Sequence, residues 1–175
     1  ALTHDPSAAL LIDGKLVAAA EEERFIREKH ARRKIPYLSA RFCLEQAGVS
    51  PGEVDCVAFP FAPIGLFRPD RWHFAKRYWY APDRAFSAIF NGNRHFRRNR
   101  NNVYKLMDML GMEKEKTPFI PVEHHLAHAS SVYHLSGFTE KTAILGIDGK
   151  GEYATTFFGY GENGVIYKIK EFFDP

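Results

Sequence analysis

Two apolar runs joined by Asp13-Gly14, a helical stretch over residues 36–47, and a later apolar strand followed by an Asn163-Gly164 hairpin predict an α/β fold. An acid and small residues recur beside an apolar run, at Asp5 to Ala8 and at Asp148 to Gly151. Each occurrence is followed by strands joined through Asp-Gly or Asn-Gly, which predicts two lobes built from duplicated halves.

The elements follow in order. Residues 8–12 and 16–20 read as strands, because an Asp-Gly pair suits a type I′ turn with positive φ at both central positions. Residues 21–34 are too charged to read as core. Over 36–47, Pro36 suits a helix start, Leu38, Phe42 and Leu44 recur near helical spacing, and Gly48 supplies the stop. Residues 54–61 read as a buried strand. Residues 119–122 read as a short strand leading into a helix with His124, His125 and His128. Residues 142–148 form a second apolar strand, Gly149 and Gly151 interrupt it, and strands follow over 153–160 and 165–172.

The chain has 175 residues, 45% of them hydrophobic, enough to bury a core and too apolar for a disordered tail. A formal charge of +3 selects neither nucleic acid nor an anionic membrane. The charge is uneven, however: residues 64–105 hold ten Lys or Arg against two Asp, interleaved with aromatics such as Trp72, Trp79, Tyr80, Phe86 and Phe90. Amphipathic helices that pack the aromatics and solvate the charges are the leading expectation. A site for an acidic or phosphorylated partner comes next, and nucleic acid binding by the arginines of 94–100 ranks third, since no recognised motif accompanies them. Cys43 and Cys56 have neither zinc-knuckle nor disulfide-scaffold spacing, so a reducing cytoplasm is expected. No apolar run approaches the roughly 20 residues that span a bilayer.

Three groups of residues have chemical potential. His124 and His128 are four apart, which on a helix puts both imidazoles on one face, able to share a metal ion or else, as a chance pair, each satisfied by backbone or water. A zinc-protease reading is disfavoured because His125, not Glu, follows the first histidine. Asp148 closes an apolar strand before Gly149 and Gly151, a pattern that suits an anion or a metal at a sheet edge, or else an ordinary turn. His4, beside Asp5, can act as a general base or be a plain loop histidine; Lys29 can neutralise phosphate or be solvated surface.

Four stretches together carry a resemblance: His4-Asp5-Pro6-Ser7-Ala8-Ala9; Glu22-Glu23-Arg24-Phe25 with Lys29-His30; Glu123-His124-His125-Leu126-Ala127-His128-Ala129-Ser130; and Ile147-Asp148-Gly149-Lys150-Gly151-Glu152. In this order they resemble the O-carbamoyltransferases of nodulation-factor and antibiotic biosynthesis, from His4 almost to Pro175 and weakly through the basic insertion. That family is related to the metal- and ATP-binding subunit of the tRNA threonylcarbamoyl-adenosine machinery. The resemblance implies an actin-like (ribonuclease H-like) ATPase fold: a first lobe over 1–138, an insertion at about 64–116, and the opening strands of a second lobe over 139–175. It implies transfer of a carbamoyl group from carbamoyl phosphate, through a carbamoyl-adenylate made with ATP, to a hydroxyl of a sugar-like or antibiotic acceptor.

By the same resemblance His124 and His128 match metal-binding histidines, for iron or a similar divalent cation, with Asp148 a further ligand or a phosphate-side contact. His4 matches a histidine acting at the transfer site, Lys29 a lysine facing nucleotide or carbamoyl group, and Gly149 and Gly151 the phosphate loop. Pro6 departs from the small or polar residue many relatives carry. Family members are much longer, so a fragment inactive by itself is expected. A non-catalytic module that holds nucleotide or a partner protein is the competing reading.

Overall fold

The structure, a computed structural model, describes residues 4–65, 69–91, 93–149, 151–152 and 154–172. Strands β1 (Ser7–Ile12) and β2 (Lys15–Glu21) form an antiparallel hairpin in which Ile12 pairs with Lys15. Asp13 and Gly14 turn the chain at φ 51° and 75°, as a type I′ turn demands. A bulge falls between Leu10 and Leu11, leaving Val17 as the extra residue.

The charged run that follows is not simply surface. It forms a short helix α1 (Glu23–Ile26) and a 3-10 turn at Lys29–Ala31, and it buries Glu22 and Ala31. Glu22 is buried because its carboxylate has a structural task. It accepts hydrogen bonds from the Leu38 and Ser39 amides at 3.1 and 2.8 Å and from the Ser39 hydroxyl at 2.9 Å. Those amides are orphan donors at the start of helix α2 (Tyr37–Ala47), so a residue from another segment caps it. Gly48 ends α2 in the left-handed region at φ 65°. The buried face of α2 is Ser39, Cys43 and Leu44, one position around from the Leu38 and Phe42 stripe expected, because Glu22 draws Ser39 inward and Phe42 instead meets Phe25 at 5.5 Å.

Strand β3 is only Val57–Phe59. The strand expected over 54–61 is shortened at its start by a 3-10 turn at Pro51–Glu53, held by a Ser50–Glu53 capping box, and at its end by Pro60. Helices α3 (Pro69–Arg77), α4 (Pro82–Asn91) and α5 (Arg94–Leu110) account for the basic aromatic segment. Lys76, Arg77, Arg84, Arg94, Arg97, Arg98 and Lys105 are exposed as expected and Arg100 is half-buried, but Trp79, Tyr80, Phe86 and Phe90 are exposed rather than packed inward. Phe86 and Phe90 cover one another at 4.6 Å instead. Strand β4 (Phe119–Pro121) pairs with β3 and precedes helix α6 (His124–Tyr133).

Strands β5 (Thr142–Ile147), β6 (Thr156–Glu162) and β7 (Val165–Phe172) make an antiparallel sheet in the order β5-β6-β7. Tyr153, expected in a strand, lies outside the described residues. The Asn163-Gly164 turn, at φ 51° and 76°, matches the first hairpin's turn, and this hairpin also carries one bulge. The apolar run of β5 reads as a buried strand, yet Leu145 and Ile147 are 63% and 75% exposed. An apolar run cannot distinguish cover on one face from cover on two.

The described residues divide into two units, Ala1–Val57 with Arg97–Ile120, and Ala58–Phe96 with Pro121–Pro175. In the first, α2 packs on the β1-β2 hairpin over Cys43 and Leu44, while Val103 and Met107 of α5 are also buried. In the second, α6 lies on the β5-β6-β7 sheet over Ala129, Tyr133 and the fully buried Phe157.

A histidine–aspartate cluster and the loop of His4

Helix α6 begins at His124, so one helical turn separates its side chain from that of His128. Strand β5 ends one residue before Asp148, whose carboxylate therefore leaves the sheet edge. Nε2 of His124 lies 2.7 Å from Asp148 Oδ2 and 3.2 Å from Nε2 of His128, and the latter lies 3.7 Å from the same oxygen. Ligand atoms about 2.0–2.2 Å from one cation stand roughly 2.9–3.5 Å from each other; the 3.2 Å edge falls in that range and the 2.7 and 3.7 Å edges lie just outside it, so small side-chain shifts would let the three atoms share one ion.

The proton inventory favours a positive charge at its centre. His124 Nδ1 lies 3.0 Å from the Pro60 carbonyl, which only accepts, so Nδ1 carries a proton. A neutral His124 then presents a bare Nε2 to a carboxylate at 2.7 Å, two acceptors in contact. Either a cation or a second proton on the ring must separate them. Burial pushes the Asp148 carboxyl upward, but the hydrogen bonds from His124 and the Gly149 amide, with the charge of both histidines, bring it below the usual aspartate value. The donor set thus includes an ionised carboxylate and an imidazole whose tautomer is fixed, which fits a divalent cation.

The glycines after Asp148 make bonds within the loop. Gly149 donates its amide to its own neighbour, Asp148 Oδ1, at 2.7 Å, and Gly151 donates to the Ala154 carbonyl at 2.8 Å. Both N–H groups are thus engaged within the chain. Gly151 is required for space: a Cβ there would stand 2.6 Å from the ring of His125. His125 is buried, and among the described residues neither ring nitrogen reaches a partner at hydrogen-bond geometry, although the Thr155 backbone is near enough to favour its charged form. Burial first, and the charge of His124 second, hold its pKa below the ordinary histidine value.

Three contributors around this cluster have no role assigned from the sequence. Pro60 acts through a backbone carbonyl, which leaves no compositional trace. Phe61 stacks on the His124 ring at 4.4 Å. Glu152 accepts from the His124 amide at 3.0 Å and the Ala62 amide at 2.9 Å. Glu152 closes the fourth stretch that carries the family resemblance, and that place in the motif is the signal that could have given it a role.

In the other unit, His4 is exposed, and its Nδ1 lies 2.7 Å from Asp5 Oδ2. The carboxylate only accepts, so Nδ1 carries the proton and Nε2 the lone pair. Asp5 is held in turn by His30: its amide donates to the His30 carbonyl at 2.8 Å, and His30 Nδ1 meets Asp5 Oδ1 at 2.9 Å. The His30 amide donates to Glu23 at 2.7 Å. Asp5 and His30 both occupy the left-handed region, at φ 51° and 63°, conformations these bonds maintain. Asp5, Glu23 and His30 thus lie at metal-ligand spacing, but their atoms are already engaged with one another. Lys29, at the start of the 3-10 turn, is exposed to solvent.

An α/β scaffold bearing a His–His–Asp cluster at a helix start and a strand end is the class that this geometry defines. The chain belongs to the carbamoyltransferase family: the family described as Carbamoyltransferase N-terminus matches residues 1–174. It is 32% identical over 171 residues to the nodulation protein NolNO of Sinorhizobium fredii, covering 97% of this chain and 23% of that protein. It is 36% identical over 168 residues to sll1178, an uncharacterized protein of Synechocystis sp., covering 93% of this chain and 26% of that one. An uncharacterized 19.2 kDa protein of Rhizobium etli is 39% identical over 56 residues, 32% of either chain. The chain spans about a quarter of the length of the first two relatives. Among the described residues no helix is long and apolar enough to cross a membrane.

Proposed function

We propose that this chain is the N-terminal part of an O-carbamoyltransferase that takes a carbamoyl group from carbamoyl phosphate, by way of a carbamoyl-adenylate made with ATP, to a hydroxyl of a sugar-like or antibiotic acceptor. The family match and the likeness to a nodulation protein support transferase chemistry, and the paired hairpins, each with an Xxx-Gly turn and one bulge, are compatible with an actin-like lobe.

In this reading His124 Nε2, His128 Nε2 and Asp148 Oδ2 hold iron or a similar divalent cation; imidazole and carboxylate donors suit several such metals. Bound there, the ion supplies positive charge for the phosphate of the adenylate. The chain's own residues do the rest. Asp5 keeps the proton of His4 on Nδ1, so Nε2 accepts the proton of the acceptor hydroxyl. The freed oxygen forms a bond to the carbamoyl carbon, the bond from that carbon to the adenylate oxygen breaks, and AMP departs with the electron pair. Asp5 then stabilises the imidazolium. Lys29 lies against phosphate oxygens.

The observation that carries this reading is the contact of His124 Nε2 with Asp148 at 2.7 Å while Nδ1 is committed to Pro60. In the complete protein, His124→Ala and Asp148→Asn are expected to lower carbamoyl transfer at least a hundredfold and to abolish stoichiometric metal. Unchanged transfer and metal content would remove the proposed role of both residues.

A further inference from the structure

Three segments meet around His124, and one carboxylate ties them together. Glu152 leaves the loop after β5, four residues beyond Asp148. Its Oε1 accepts the Ala62 amide at 2.9 Å, and both its oxygens lie within 3.2 Å of the His124 amide. The N-cap residue of α6, Glu123, makes no side-chain cap of its own, so the first amide of the helix depends on Glu152. Ala62 is the residue after Phe61 and two after Pro60, the two groups that touch the His124 ring. Pro60 fixes which nitrogen is protonated, and Phe61 fixes the ring plane at 4.4 Å. A helix cap alone has no need of the Ala62 amide. A group that sets an imidazole in one tautomer and one orientation does.

We infer that Glu152 is a positioning residue, which clamps the Pro60–Ala62 loop against the start of α6 so that His124 keeps Nδ1 protonated and directs Nε2 toward Asp148. The inference rests on the reading of His124 as a metal ligand only for its functional consequence; the clamp itself is a property of the chain without metal.

The test uses the complete protein with Co²⁺ as the probe, alongside nitrogen-15 NMR of the His124 ring in the metal-free protein. Glu152→Gln keeps the shape but presents one acceptor in place of a charged pair, and Glu152→Asp keeps the charge but is too short to reach both amides. Glu162→Gln, on β6, removes the same charge elsewhere in the same unit. Both Glu152 variants are expected to weaken Co²⁺ binding about tenfold or more, as loss of a supporting group around a metal typically does, and to replace the single set of His124 ring signals with those of a ring no longer held between Pro60 and Asp148. Glu162→Gln should change neither. If one Glu152 variant does not fold, the other decides. Unaltered His124 ring signals and unaltered Co²⁺ affinity in the Glu152 variants would overturn the inference. A wild-type chain that fails to bind Co²⁺ would count against the metal reading, whereas the comparison of ring signals would still decide for or against Glu152.

Discussion

Two imidazoles converge on Asp5, and its carboxyl is held below the usual aspartate range first by the hydrogen bond from His4 and then by that from His30. A carboxylate whose pKa is lowered by folding steadies the fold above its ordinary value of about 3.9, and that contribution disappears as pH falls through the lowered folded value. Protection of the Asp5 amide, which donates to His30, should therefore persist at pH 4.5 and collapse only below the ordinary aspartate range, as hydrogen exchange followed by NMR would report. Asp5→Asn should lose protection already at pH 6. Gly151 has a different constraint. Gly151→Ala places a methyl carbon 2.6 Å from the buried His125 ring and 3.1 Å from the Ala154 carbonyl, and a cost of about 1–3 kcal/mol in urea unfolding is expected.

At the scale of elements, the start of α2 depends on a residue fifteen positions before it. Glu22→Ala deletes the acceptor for two amides and one hydroxyl inside a buried pocket, so the destabilisation should reach about 1–3 kcal/mol in thermal or urea unfolding. A loss below about half a kcal/mol would mean that water replaces the carboxylate and that Glu22 is not the cap. Helix α6 is held at its far end by close packing as well as by the Ser136 hydroxyl, which donates to the Tyr133 carbonyl at 2.8 Å. The Tyr133 ring lies on Gly161 so closely that a Cβ there would be 2.3 Å away, and Gly161→Ala should force α6 off the sheet and lower the melting temperature. The same change at Gly149, where a Cβ meets open space, should cost far less.

For the molecule as a whole, the two thiols report folding. Cys43 is 2% exposed, and burial raises its pKa above that of a free thiol, whereas Cys56 is exposed. A native chain should titrate one rapid thiol with a disulfide reagent and a second only when unfolded. Two rapid thiols would show that α2 opens readily from its hairpin. The relatives add a separate consideration, because the chain covers about a quarter of two of them, and the proposed transfer is best assayed in the complete protein.

Local chemistry determined much by itself. The Asp13-Gly14 and Asn163-Gly164 turns, the stop at Gly48, and the helical spacing of His124 and His128 all depend on residues close in the chain, where backbone sterics and hydrogen bonding act without outside help. Family membership was legible for a related reason, since its motifs are short runs of side chains. What only the tertiary structure decided involves partners far apart: Asp148 meeting His124 across 24 positions, Glu22 turned inward to α2, Glu152 reaching Ala62 across 90, and β5 left open on one face. Such pairings depend on chain closure and on which backbone groups need a partner after packing, and neither is written in the spacing of the residues concerned.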